Sequence, residues 1–183
     1  MGEEVFVVQV VTDGDYGFPL DRVCEIGICR VDLDTGNVES AYSARILLEP
    51  GSFTKKQKSY FEEVSGEPIE ALLDGTPLDS VVMDVKELLN GKTITSFDVS
   101  FAIKKFLINE PWDISKEMTI MASGGRGIPP TALGDNPKNE NLAIDSAYRM
   151  LFPDDAMGIG DGRSALDLAL KSSFLMLKAR GRC

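Results

Sequence analysis

The chain has 183 residues, 43% of them hydrophobic, with a formal charge of −10 and no histidine. That length supports one domain with a sizeable core over residues 1–183. The charge disfavours tight non-specific binding of polyanions unless Lys and Arg gather on one face, and the missing histidine excludes Ser-His-Asp and Cys-His catalysis and His-ligated zinc.

The N-terminal Met1-Gly2-Glu3-Glu4 is acidic where a secretory leader would be basic, and no apolar run approaches the ~20 residues that cross a bilayer. A cytoplasmic location without membrane association is the expectation. Val5 to Thr12 reads as a strand from its β-branched content, and Asp13 to Gly17 as a loop. A second strand, Val23 to Asp32, meets a third, Val38 to Leu48, across the turn residues Asp34-Thr35-Gly36-Asn37. Cys24 and Cys29 fall inside that apolar stretch and Cys183 ends the chain; with no C-x-x-C pair, all three read as reduced, mostly buried thiols.

The period then changes. Pro68 to Leu73 and Pro77 to Leu89 carry apolar residues at helical spacing, and the second stops at Asn90-Gly91. Lys92 to Ser96 is a short strand, and Val99 to Ile108 a helix with Asp98 as N-cap. Met118 to Ala122 is a candidate fifth strand, Gly124 to Asn139 a Gly- and Pro-rich loop, and Leu142 to Phe152 and Ser164 to Ala179 are helices. A three-strand antiparallel meander followed by alternating helices and parallel strands predicts an α/β chain: a mixed five-stranded sheet flanked by helices, of the ribonuclease H-like kind.

The order of elements and several local phrases resemble the DEDD-type 3′–5′ exonuclease family, in its DEDDh-like branch, which includes the proofreading subunit of bacterial DNA polymerase III and ribonuclease T. The phrases are Thr12-Asp13-Gly14, Val23-Cys24-Glu25-Ile26-Gly27, Leu48-Glu49-Pro50-Gly51, Val64 to Ile69, Ser96 to Ala102, Leu142 to Pro153, and Arg163-Ser164-Ala165-Leu166-Asp167. The resemblance covers nearly the whole chain and implies a metal-dependent hydrolysis. In that chemistry two Mg2+ or Mn2+ ions about 4 Å apart activate a water and stabilise the leaving oxygen, so carboxylates must converge on them.

Carried over residue by residue, the resemblance leaves that centre short of ligands. The family's Asp-x-Glu on the first strand matches Gln9 and Val11; its His-Asn-x-x-Phe-Asp runs through Phe97 to Ala102, so Ala102 takes the aspartate position. Its His and the Asp five residues later match Gly162 and Asp167. Only Asp167 is a retained ligand position. One carboxylate cannot hold two dications that repel each other by about 17 kcal/mol at an effective dielectric of about 20. Since a general base alone is worth ~10²–10⁴ in rate, the losses predict a silent site needing no cofactor. Gln9 then reads as the neutral occupant of a dismantled metal site.

Each of these residues also has a plainer role. Gln9 fits a core amide bonded to backbone, and Asp98 a helix N-cap. Asp167 lies four residues before Lys171, so a surface ion pair stands beside a residual ligand role. Asp13, Asp98 and Asp167, with Asp15, are the carboxylates available to a rearranged metal site, though Asp13 and Asp15 also suit a turn. Glu25 fits a buried strand carboxylate paired with Arg45. The Gly124-Gly125-Arg126-Gly127 loop lacks the lysine and hydroxyl of a P-loop.

Three functions follow. The first is a silent exonuclease-like domain that binds a single-stranded nucleic-acid end or a protein partner through the old cleft. The second is an active 3′–5′ exonuclease with rearranged ligands and Mg2+ or Mn2+. The third is a structural or interaction module, for instance a homodimer. Basic residues group at Lys55-Lys56-Lys58, Lys104-Lys105 and Lys171 to Arg182; each group reads as a solvated face, and the tail Lys178 to Arg182 also as a phosphate-contacting arm.

Overall fold

The computed structural model describes residues 3–114 and 117–182; Cys183 lies outside the described residues. Five strands form one mixed sheet: β1 (Glu4–Thr12), β2 (Val23–Asp32), β3 (Val38–Arg45), β4 (Thr93–Thr95) and β5 (Thr119–Ile120), in spatial order β3-β2-β1-β4-β5. β1, β2 and β3 pair antiparallel, whereas β4 joins β1 and β5 joins β4 in parallel. The predicted meander with parallel additions is therefore the fold.

β1 sits at the centre and is buried on both faces, which is why it reads as a nearly continuous apolar run. Its side chains alternate. Phe6, Val8 and Val10 face the core layer made with α2 (Leu78–Leu89) and a π-helix at Ser100–Leu107. On the opposite face Val11 meets α1 (Lys55–Ser65), α3 (Glu140–Leu151) and α4 (Ala165–Ala179), and Val5 and Val7 meet the end of α4. Burying each of these valines is worth about 1.5–3 kcal/mol.

α4 lies close on the sheet. A Cβ on Gly27 of β2 would stand 2.3 Å from the Ala165 backbone, so only glycine permits this approach. The approach lets Glu25, two residues earlier, accept a hydrogen bond from Ala165 N at 3.1 Å, capping the helix with a carboxylate where its dipole is positive. The same carboxylate accepts from Arg45 Nε at 3.1 Å, the partner its position in the strand suggests.

Several elements differ from the predicted ones, each for a local reason. α1 carries three lysines and buries only Phe61, Val64 and Ser65, so its pattern is too polar to announce a helix; a Thr54–Gln57 capping box and Gly66 at φ 73° set its ends. β3 stops at Arg45, and Ile46 instead bridges to Thr76. Residues Ile69–Asp74 form a 3-10 turn, β5 is two residues long, and the 124–139 loop contains a 3-10 turn at Pro130–Leu133. α3 begins at Glu140, two residues before Leu142, because Asn139 caps it by accepting from Leu142 N at 3.2 Å. The predicted Val99–Ile108 helix is a π-helix, with Lys104 N bonded to Val99 O and Ile108 N to Ile103 O. Cys24 and Cys29 are buried free thiols; burial pushes Cys24 well above the usual thiol range and Cys29 up to about 12, so both are unreactive.

Candidate functional site

β1 and β4 run parallel, so their carboxyl ends open on the same side of the sheet, beside the segment Ser96 to Ser100 and the first turn of α3. Gln9 is fully buried here, on the face turned toward α4. Phe97 N–H can only donate, and this fixes the orientation of the Gln9 amide. Oε1 accepts from Phe97 N at 2.6 Å and from Ser172 Oγ of α4 at 3.1 Å, while Nε2 donates to Glu140 Oε1 at 3.2 Å. One neutral side chain thus ties β1, the segment after β4, α3 and α4 together.

Glu140 was not singled out by sequence reasoning. It is 5% exposed, and its Oε1 accepts a second hydrogen bond from Asp98 N at 2.9 Å. Its Oε2 has no partner. Desolvation, with help from the nearby Asp98 charge, pushes the Glu140 carboxyl up to about 8 against the hydrogen bonds that oppose it. A sequence signal existed: an acidic residue directly after Asn139 suits the first turn of a helix.

Gly162 and Asp167 adjoin, a Cβ on Gly162 falling 2.5 Å from Asp167 Oδ2, but Val11, Ala102 and Asp167 do not converge. Val11 packs with Phe97, Ala165 and Leu168, whereas Ala102 packs on the opposite side of the sheet with Val8 and Val10. Asp167 forms a capping box with Ser164, its Oδ2 accepting from Ser164 N at 3.0 Å and Ser164 Oγ at 2.6 Å. Its ion pair with Lys171 is not made. Lys171 is fully buried and donates instead to Asp145 Oδ1 and to the Gly162 carbonyl, each at 2.7 Å. Helical spacing brought Asp167 and Lys171 into reach, but the buried ammonium needed a desolvated carboxylate, and Asp145 of α3 supplies it.

Asp98 Oδ1 accepts from Ser100 N at 2.8 Å, which caps the first turn of the π-helix. Asp13 is buried and bonded to Arg22 through the backbone N at 2.6 Å and Nε at 2.9 Å; burial raises its pKa despite that partner. Asp13, Asp98 and Asp167 are each engaged in a different place. Among the described residues, no group of three or more Asp, Glu or Cys side chains is placed to hold a metal ion. The donors at the Gln9 end of the sheet do not fit a pair of hard dications, because the Gln9 carbonyl oxygen is taken by Phe97 N–H and Ser172.

Two of the basic groups meet on one loop. Lys56 Nζ of α1 stands 4.8 Å from the Tyr16 ring, and Lys105 Nζ of the π-helix donates to Asp15 O at 2.7 Å. Tyr16 and Phe18, on this loop between β1 and β2, are 65% and 53% exposed. The tail group lies elsewhere: Lys178 covers Phe152 and Arg180 reaches Met121.

Solved structures share this architecture. Escherichia coli exonuclease I in a zinc-bound complex with single-stranded DNA superposes with a TM-score of 0.63 at 15% identity, covering 98% of this chain and 41% of that one. A product-bound exonuclease I gives 0.64 at 12% identity, over 100% of this chain and 45% of the other. Exonuclease I from Methylocaldum szegediense gives 0.61 at 10%, over 97% and 40%. The chain shares the fold of the part of exonuclease I that it covers. It spans less than half the length of these three proteins. No protein-family model and no curated protein sequence matches it.

Proposed function

We propose that this chain is an exonuclease-fold module that binds single-stranded nucleic acid in the cytoplasm without hydrolysing it, and that it needs no metal ion to do so. The observation that carries this reading is the Gln9 amide. At the position the resemblance gives to a metal-binding aspartate, a neutral side chain is buried and bonded through both amide atoms, to Phe97, Ser172 and Glu140. A cation entering here would have to displace those hydrogen bonds and meet an amide in place of a carboxylate.

The binding half of the proposal draws on two further observations. Exonuclease I, a structural neighbour, has been solved with single-stranded DNA. In this chain exposed Tyr16 and Phe18 lie beside Lys56 and Lys105, a pairing of aromatic faces with cations that suits unstacked bases and their phosphates. Because the chain carries −10 overall, this contact has to be local and sensitive to salt.

The test is a labelled single-stranded oligonucleotide read in two ways: by fluorescence anisotropy across a salt series, and by gel for 3′ shortening in Mg2+ or Mn2+. Saturable binding that weakens with salt and an oligonucleotide of unchanged length are expected. Shortening from the 3′ end overturns the loss of hydrolysis, and absence of binding at low salt overturns the nucleic-acid reading in favour of a protein partner.

A further inference from the structure

An apolar groove of about 170 Å3 opens on the face of the sheet turned away from α4. Ile46, Phe106 and Trp112 form its floor, each at most 4% exposed, and Phe18, Pro19 and Leu78 stand at its rim. Three charged residues also line it. Asp21 accepts from Tyr16 N at 2.7 Å and Gly17 N at 3.3 Å, and Arg22 is paired with Asp13 at 2.9 Å, so both are engaged. Glu110 is exposed and makes no ion pair among the described residues. The same holds for exposed Glu49 and Asp79, which adjoin the lining residues Leu48 and Leu78.

The size of the groove decides what kind of occupant fits. Pockets for cofactors and drug-sized ligands run to about 300–1,000 Å3, so this one takes a single large apolar side chain. Its buried floor removes such a side chain from water, which is how most protein contacts are anchored. Charge decides the rest. With Arg22 paired and three unpaired carboxylates around the opening, the groove favours a cationic partner and disfavours phosphate. Lys105, next to Phe106, is turned to the Asp15 carbonyl. A second copy of this chain brings the same −10 and the same acidic rim, so it is repelled.

We propose that this groove docks a segment of another protein in which one large apolar side chain is flanked by lysine or arginine. The apolar residue fills the space between Phe18, Leu78 and Trp112, and its basic neighbours meet Glu49, Asp79 and Glu110. The apolar anchor supplies the affinity, and the acidic rim selects the partner. The proposal goes beyond the nucleic-acid reading and shares only Phe18 with it.

The experiment uses the full chain, isotope-labelled, and capped octapeptides with a central leucine, phenylalanine or alanine flanked by lysines, serines or glutamates. Trp112 is the single tryptophan, so its indole N–H gives one resolved resonance from the floor, read together with the Ile46 and Leu78 amides. Lysine-flanked peptides centred on leucine or phenylalanine should shift these three signals, and central alanine should weaken binding by about tenfold or more. Glu110→Lys, a change at an exposed position, should weaken the lysine-flanked peptides by about two- to fivefold and leave the serine-flanked ones unchanged. Shifts that are absent for every peptide, or that fall elsewhere, overturn the docking site. Glutamate-flanked peptides that bind as well as lysine-flanked ones overturn the basic partner. Self-association that moves the same signals without peptide gives the groove to a second copy, and movement of the Ile46 and Leu78 amides by a single-stranded oligonucleotide gives it to nucleic acid; either overturns the proposal. If lysine-flanked peptides bind here and the oligonucleotide binds nowhere, this proposal stands and the nucleic-acid reading falls.

Discussion

Gln9 Nε2 donates to Glu140 Oε1 across 3.2 Å, joining the central strand to the first turn of α3 inside the core. The pair explains how the centre of an exonuclease-like fold is kept intact with an amide in it. Gln9 satisfies Phe97 N–H, and Glu140 satisfies Asp98 N–H, so the segment that leaves β4 is held at two successive backbone groups.

Replacing Gln9 by leucine removes a partner from Phe97 N–H and should cost about 1–3 kcal/mol. In a chain of this size that lowers the thermal midpoint by about 2–12 °C, read by circular dichroism. A midpoint equal to the wild-type value would show that the amide network does not hold the core together.

The raised Glu140 carboxyl gives a pH dependence whose sign is fixed. Its folded value of about 8 lies above the ordinary 4.5, so the folded state binds the proton more tightly. The contribution is fully present below about pH 4.5 and is lost as pH rises through about 8, with a slope of at most about 1.4 kcal/mol per pH unit. Burial raises Asp13 and Glu25 in the same direction. Urea midpoints should therefore fall from pH 5 to pH 8, and Glu140→Gln should flatten part of that fall. Parallel curves for the two proteins would contradict the assignment.

Asp145→Ala should destabilise more than Lys171→Met. Removing Asp145 leaves a fully buried ammonium with the Gly162 carbonyl and the face of Tyr148 but no carboxylate bonded to it, at a cost of about 3–5 kcal/mol. Removing Lys171 leaves Asp145 with Arg149 at 3.1 Å and Arg163 at 3.6 Å, so its cost is smaller. Chemical denaturation of the two variants gives the order directly, and the reverse order would refute this account of the buried pair.

Gly27→Ala brings a methyl group to 2.3 Å from the Ala165 backbone. Backbone cannot rotate away as a side chain can, so α4 must shift, at about 1–3 kcal/mol. The amide of Ala165, capped by Glu25, should then lose hydrogen-exchange protection. Retained protection would place the adjustment elsewhere.

The parts of the fold that were legible in the sequence are those whose burial is uniform along a strand. Val23 to Asp32 was bounded correctly because apolar and β-branched residues run unbroken to a turn signal. The Glu25–Arg45 pair was legible because strand register places them opposite one another. Gln9 stood out as one amide in a valine run, yet its partners come from residues far along the chain and no local pattern announces them. Glu140 was passed over because its burial is imposed by β1 and the 96–98 segment, while its own neighbourhood is polar. Lys171 and Asp145 show the same limit: helical spacing offered Asp167, and tertiary packing chose a carboxylate on another helix.

The proposal that this chain holds no two-metal centre is tested most directly by counting bound manganese. Titration of the chain with Mn2+, followed by electron paramagnetic resonance, should show only weak, non-stoichiometric binding, the same in wild type and in Asp167→Asn. Two ions bound per chain, with affinity abolished by Asp167→Asn, would contradict the account and restore a working nuclease centre.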